Sequence, residues 1–227
     1  MGVVALALSI AGFGPGLAGE PSARRGAPTT LLLLHGVVFS LWLLLYLTQS
    51  ALVGRDRRAT HKRLGWVGVP LGLAVVTVGY AATIAQGRRG FALWWHPDVR
   101  ADALTEMVHP LGDLLTFTLL VAGAVFWRRR PQIHKRLMLL ATAGSLMAAP
   151  LAHLLGYFPA TRAVPAVILL PLGLLYFSSA IRDRLLDGRI HPVSLWGGVL
   201  LFGFAFLRGG LIGPSEPWHR LASWLIQ

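Results

Sequence analysis

Residues 30–64 read TLLLLHGVVFSLWLLLYLTQSALVGRDRRATHKRL. An unbroken apolar run ends in a basic turn, and the turn leads into His61-Lys62-Arg63-Leu64. A helix rises ~1.5 Å per residue and needs about 20 mainly apolar residues to cross a bilayer. The run meets that length, so the stretch reads as one membrane span followed by the start of a second. The same tetrapeptide returns at His134-Lys135-Arg136-Leu137, again behind a basic turn and ahead of an apolar run. Both lysines of the chain lie in these two tetrapeptides.

The composition agrees. Of 227 residues, 55% are hydrophobic and 13% charged, against about 25% charged in soluble domains. Little of the surface can therefore face water. The chain has no cysteine, which excludes disulfides, iron–sulfur clusters, covalent c-type haem, thiolate zinc sites and cysteine nucleophiles. The net charge is +12, but it lies in short clusters between apolar runs. It forms no basic stripe, so nucleic acid is not an expected partner. No serine hydrolase elbow, phosphate-binding glycine loop, HExxH or dinucleotide fingerprint appears.

The expected fold class is all-α: a polytopic transmembrane bundle of about seven spans with a tandem two-helix repeat, forming a single integral membrane domain over 1–227. The candidate spans are 2–18, 29–53, 64–86, 103–127, 137–157, 163–181 and 195–213. The first is short, contains Gly14-Pro15, and reads as a retained anchor rather than a signal segment, because no basic residue precedes it. The links after the second, fourth and sixth spans hold 13 of the 21 basic residues. Basic loops stay cytoplasmic, so the N-terminus is expected inside and the C-terminus in the periplasm of a bacterial inner membrane. Trp66, Trp127 and Trp196 fall at inner span ends; Trp94, Trp95, Trp218 and Trp224 fall at the outer side, as an aromatic belt requires. Residues 217–227 are too short to cross and are expected to lie in the outer interface.

The repeat pairs a first hairpin, 29–86, with a second, 103–157; a third, 163–213, echoes them weakly through His191. Each copy has a histidine near the outer end of its descending helix, His35 and His109, then a basic turn and HKRL. Both copies run in the same direction, so a pseudo-twofold axis along the membrane normal can relate them. HKRL anchors the inner boundary. A cation at a helix N-terminus opposes the helix dipole, which points to an anion nearby: a phospholipid phosphate at the cytoplasmic face, met by His61, Lys62, Arg63, His134, Lys135 and Arg136.

A second cluster is expected near the periplasmic side. Asp102, Glu106, His109 and Asp113 are spaced to share one helix face. By helix rise His109 and His35 lie roughly 9 Å below their outer span ends, and His153 roughly 6 Å. Ionisable groups inside a membrane mark functional sites. His35, His109 and His153, with Asp113 and Glu106, are therefore candidate ligands for a transition metal, and the histidines for haem b.

HGVVFSLWLLLYLTQ, HKRLGW and PQIHKRLMLLA resemble segments of a group of uncharacterised bacterial polytopic membrane proteins over about residues 30–210. PQIHKRLMLL is also similar to a small membrane family linked to cytochrome oxidase assembly. The layout of repeated hairpins with outer histidines is similar to haem A synthase and to four-helix b-type cytochromes. These resemblances imply an inner-membrane location and lean towards haem–copper oxidase biogenesis, with His35 and His109 as ligands and His153 as a third. The leading functional expectation is haem or metal binding for electron transfer or cofactor handling. Two others stand beside it: a cofactor-free proton-coupled transporter, and a structural or assembly subunit of a respiratory membrane complex. Whether any of these is an enzyme is left open by the residues.

Overall fold

The computed structural model describes residues 2–18, 29–89, 102–156 and 166–227. The described chain is helical throughout, with no strand among the described residues. The elements are α1 (Gly2–Ala18), α2 (Thr30–Gly54), α3 (Arg58–Gly65), α4 (Gly68–Arg89), α5 (Ala103–Glu106), α6 (Val108–Phe126), α7 (Pro131–Leu139), the π-helical turn π1 (Leu140–Ser145) and α8 (Ala148–Gly156). They continue as α9 (Ala166–Tyr176), α10 (Ser178–Leu186), α11 (Pro192–Leu207), the π-helical turn π2 (Arg208–Ile212) and α12 (Glu216–Leu225). Four stretches are long and apolar enough to cross a membrane: α2, α4, α5 with α6 (Ala103–Phe126), and α11 with π2 (Pro192–Ile212). The first expected span is a single shorter helix, α1, and the other two are interrupted. Span five divides into α7, π1 and α8; span six divides at Phe177, between α9 and α10. The expected tail helix is present as α12.

Local chemistry sets the boundaries. The Thr29 hydroxyl caps α2 by accepting from Leu32 N. Pro131 and Pro192 sit in the first turns of α7 and α11, where a missing N–H costs nothing. The turn after α2 passes through Asp56 at positive φ, and the turn after α10 through Gly188 at positive φ.

The helices pack as a bundle. α2 lies antiparallel to α4, α4 and α7 flank α6, and α1 packs on α8. The sequence places glycines at 65, 68, 72 and 79, and they give α2 its seat. Gly72 faces the Trp42 ring, where an added methyl would make ordinary contact, and Gly79 faces Phe39 and Leu114, where a methyl would overlap the end of the Leu114 side chain. Small residues permit such close approach where lipid supplies no hydrophobic drive between helices. Val38, Trp42, Leu43, Val75, Phe117 and Met147 belong to the main core. Trp42, read from the sequence as the one mid-span tryptophan, stands edge-on to Phe117 at 4.9 Å. Its Nε1 donates to Thr142 Oγ1 at 3.2 Å, joining α2 to π1.

Within the repeat, both HKRL segments open helices behind basic turns, and both helices are interrupted soon afterwards. The first breaks at Trp66–Val67, and the second passes into π1. The three basic turns lie at one end of the bundle, called the basic end below.

Trp42→Ala removes a large buried ring and its bond; it is expected to cost about 3–5 kcal/mol. Thr142→Val removes only the bond and is expected to cost about 0.6 kcal/mol. Thermal unfolding in detergent checks the ranking.

Candidate functional site

The buried charges fall into two clusters, and α11 with π2 carries one at each end. Ser194, Gly198, Leu201 and Arg208 are buried, at spacings i, i+4, i+7 and i+14 that share one helix face. Ser194 and Arg208 are separated along that face by about 21 Å at 1.5 Å per residue.

At the basic end, Arg136 of the second HKRL turns inward. Its side chain is 5% exposed and its partner Asp183 is fully buried. Arg136 Nε donates to Asp183 Oδ2 at 2.8 Å, Nη2 donates to Asp187 Oδ2 at 3.2 Å, and Nη1 donates to the Gln132 carbonyl and Oε1, each at 2.7 Å. Asp183 Oδ2 also accepts from Ser194 Oγ at 2.5 Å and from the His191 amide at 3.3 Å. Ser179 Oγ stands 2.8 Å from Ser194 Oγ. Because the Ser194 hydrogen is committed to Asp183, Ser179 is the donor. The network joins α7, α10 and α11. Burial pushes the Asp183 carboxyl up, but the bonds from Arg136, Ser194 and the His191 amide outweigh it and hold the group below the usual carboxylate range. His191 caps α11 by accepting from Val193 N at Nδ1, 3.1 Å away. Burial, with Arg136 nearby, keeps that ring less basic than usual.

At the opposite end, Arg208 reaches from π2 across α6. Its Nη1 donates to Asp113 Oδ1 at 2.7 Å and to the His109 carbonyl at 2.8 Å. The side chains are 4% and 16% exposed. The guanidinium carbon lies 5.1 Å from the centre of the Phe204 ring. Gly112 makes this crossing possible, since a methyl group there would overlap the Arg208 side chain. Arg208 Nε has no hydrogen-bond partner among the described residues. Between the two clusters, Leu140, Leu201 and the Tyr176 ring form an apolar layer, with the Tyr176 hydroxyl beside Arg208.

The expected carboxylate stripe on α5 and α6 divides between two places. The chain turns at Met107, between α5 and α6. Asp113 faces Arg208, while Asp102 caps α5 and lies 3.1 Å from His219 Nε2. Thr105 Oγ1 donates to Asp102 at 2.9 Å and stands 3.0 Å from the same nitrogen. These contacts, with Trp218 Nε1 donating to the Leu104 carbonyl at 2.7 Å, seat α12 on the end of the bundle. Trp218 and Leu225 pack inward there, while Leu221 is exposed. The Glu106 amide donates to the Asp102 carbonyl at 3.0 Å, but no hydrogen bond or ion pair among the described residues reaches its side chain.

His35 packs beside Phe39 of its own helix, ring centres 4.1 Å apart. The His109 ring lies against Gly209. The His153 side chain and His96 lie outside what the structure describes. Among the described residues, no three His, Asp or Glu side chains converge as a metal site. In the first HKRL, Lys62 and Arg63 are exposed. His61 meets His134 of the second, ring centres 6.3 Å apart.

Sequence reasoning missed Arg208, Asp183, Ser179 and Ser194. Arg208 carries a readable signal, since it lies inside an apolar run. Asp183 sits in the charged segment RDRLLDGR, where nothing local distinguishes it from a solvated acid. No family model, curated protein or solved structure matches the chain.

Breaking a buried ion pair by removing one partner costs about 3–5 kcal/mol, because the other charge is left unpaired. Asp183→Asn and Arg136→Gln are each expected to destabilise by that amount, and the double variant by clearly less than the sum. The Asp183 contribution is complete above the usual carboxylate range. It is lost as pH falls through the depressed value, because only the unfolded state readily takes up the proton. Unfolding of the four species in one detergent, repeated at falling pH, checks both statements.

Proposed function

We propose that the chain is an integral protein of the bacterial inner membrane that acts as a proton-coupled carrier, with Asp113–Arg208 as the proton-sensitive gate. The observation that carries this reading is the α11 stripe: two buried ion pairs about 21 Å apart by helix rise, with the apolar layer of Leu140, Tyr176 and Leu201 between them. Each pair closes one end of the bundle. The basic turns share one end, which supports a cytoplasmic basic end and a periplasmic Asp113–Arg208 end.

The chemistry follows from charge. A proton on Asp113 neutralises the carboxylate and leaves Arg208 with only uncharged neighbours, the His109 carbonyl and the Tyr176 hydroxyl. A buried guanidinium without a counter-charge is unfavourable by several kcal/mol, so Arg208 moves to water or to an anionic substrate. It sits at the start of π2, and π-helical turns recur at functional sites because their looser winding accommodates such shifts. Loss of the proton re-forms the pair and shuts that end. The Asp183–Arg136 pair holds the opposite end meanwhile.

Haem or metal binding has less support. The guanidinium occupies Asp113, and a metal cation placed there would meet its positive charge at close range.

The chain lacks cysteine, so a single introduced thiol reports opening directly. Leu201→Cys lies in the apolar layer, and Gln227→Cys serves as an exposed reference. Labelling of Leu201→Cys by a methanethiosulfonate, divided by the reference rate, is expected to rise several-fold as pH falls. In Leu201→Cys/Asp113→Asn it is expected to be high at every pH. A pH-independent rate in the first protein, or equal pH dependence in both, would overturn the gate. A Soret band in the purified protein, lost in His35→Ala and His109→Ala, would replace the carrier with a haem protein.

A further inference from the structure

We infer that the two HKRL histidines, His61 and His134, form a phosphate-binding site at the basic end of the bundle. The carrying observation is their meeting. They are far apart in sequence, yet the repeat brings their rings to 6.3 Å, nearly perpendicular at 82°. His134 Nδ1 lies 2.9 Å from the Ala124 carbonyl. A carbonyl only accepts, so this nitrogen carries hydrogen and the ring is fixed in orientation, with Nε2 directed away from α6. His61 is less settled: its Nδ1 is buried and has no partner among the described residues. Gln49 lies along the same α3 face, its amide nitrogen close to Gly65, and its Oε1 also lacks a partner. Three hydrogen-bonding side chains from α2, α3 and α7 therefore gather with their bonding incomplete.

The surrounding charge identifies what completes it. The segments 55–66 and 127–139 hold ten basic residues and one acid, Asp56. Asp56 is taken by Arg58 at 2.9 Å, and Arg136 is withdrawn to Asp183. Lys135 lies 3.9 Å from Asp187, and the remaining cations of these segments have no ion-pair partner among the described residues. Burial, His134 and Lys62 keep His61 less basic than usual, against the opposing pull of the Gln49 backbone carbonyl near the ring. The His61 ring thus stays uncharged beside its neighbours until a negative group arrives. An anion between them removes that penalty, lets both rings become donors and meets Lys62 beside them. A phosphate group matches in charge and in acceptor number. It can come from an anionic phospholipid headgroup or from a soluble phosphate. The inference does not depend on the carrier reading, because the two sites share no residue.

Purified protein in nanodiscs of neutral phosphatidylcholine is compared with protein in nanodiscs containing phosphatidylglycerol, and with neutral nanodiscs given millimolar inorganic phosphate. The readouts are the thermal midpoint and the 15N signals of the histidine rings. Phosphatidylglycerol, inorganic phosphate or both are expected to raise the midpoint and to shift the His61 and His134 ring nitrogens towards the imidazolium position. A response to phosphatidylglycerol alone assigns a lipid headgroup; an equal response to inorganic phosphate assigns a soluble ligand. His61→Gln and His134→Gln are expected to lose most of the midpoint rise, and Arg189→Gln, an exposed cation elsewhere at the same end, to keep it. Should a glutamine variant fold poorly, the ring-nitrogen shifts of the unaltered protein still decide. No shift of either ring with any phosphate source, or full midpoint rises in both glutamine variants, would overturn the site.

Discussion

A charge buried among apolar helices must have an opposite charge beside it. The rest of this structure follows from that constraint. Asp113 satisfies it with Arg208, and Asp183 with Arg136 at one oxygen and Arg182, 3.4 Å away, at the other; Arg208 and Arg136 arrive from different directions. Arg208 comes from π2 to α6; Arg136 comes from α7 to α10. Both networks include a residue of the continuous α11–π2 helix, which is therefore held at two heights. The attraction within each pair offsets a desolvation cost of several kcal/mol per ion. Their value lies less in net stability than in position, since neither partner can leave without exposing the other. The same property makes a pair a switch, because one proton on the carboxylate removes the reason for the arginine to stay.

The two HKRL copies show how one motif serves two ends. Asp183 exists only where the second copy can reach it, so Arg136 is buried and Arg63 remains exposed. The histidines of the two copies have a common fate instead, since they meet. Asymmetry continues along the helices. The first copy returns as α4, whose glycines let α2 approach closely. The second returns through π1, whose extra backbone width presents Thr142 to Trp42 and Ser145 to Thr116, 3.0 Å apart. The two HKRL hairpins are thus fitted to different neighbours.

Most of the helical architecture was legible in the sequence, because apolar run length and basic turns are local signals. Helix α2, the glycine stripe of α4 and the start of each HKRL helix follow from residues read in order. The interruptions in spans five and six were less legible; Pro171 lies inside α9, but nothing in LATAGS announces a π-helical turn. For the site, the sequence marked Asp113 and His109 as ionisable groups inside an apolar run. It could not pair Asp113 with Arg208, which stands out inside the apolar run 195–213 but lies far along the chain. Asp102, Glu106, His109 and Asp113 share a face only on a straight helix, and the turn at Met107 separates them. The pairing of Arg136 with Asp183 depends on how hairpins dock, which spacing within one hairpin does not encode.

The central claim is that opposite charge at these positions, rather than any particular side chain, holds α11 and π2 to α6. Exchanging the partners tests it most directly. Asp113→Arg and Arg208→Asp each place two like charges together and are expected to give unstable protein. The double exchange, Asp113→Arg with Arg208→Asp, is expected to recover a large part of the lost thermal stability. A double exchange no more stable than either single variant would contradict the account.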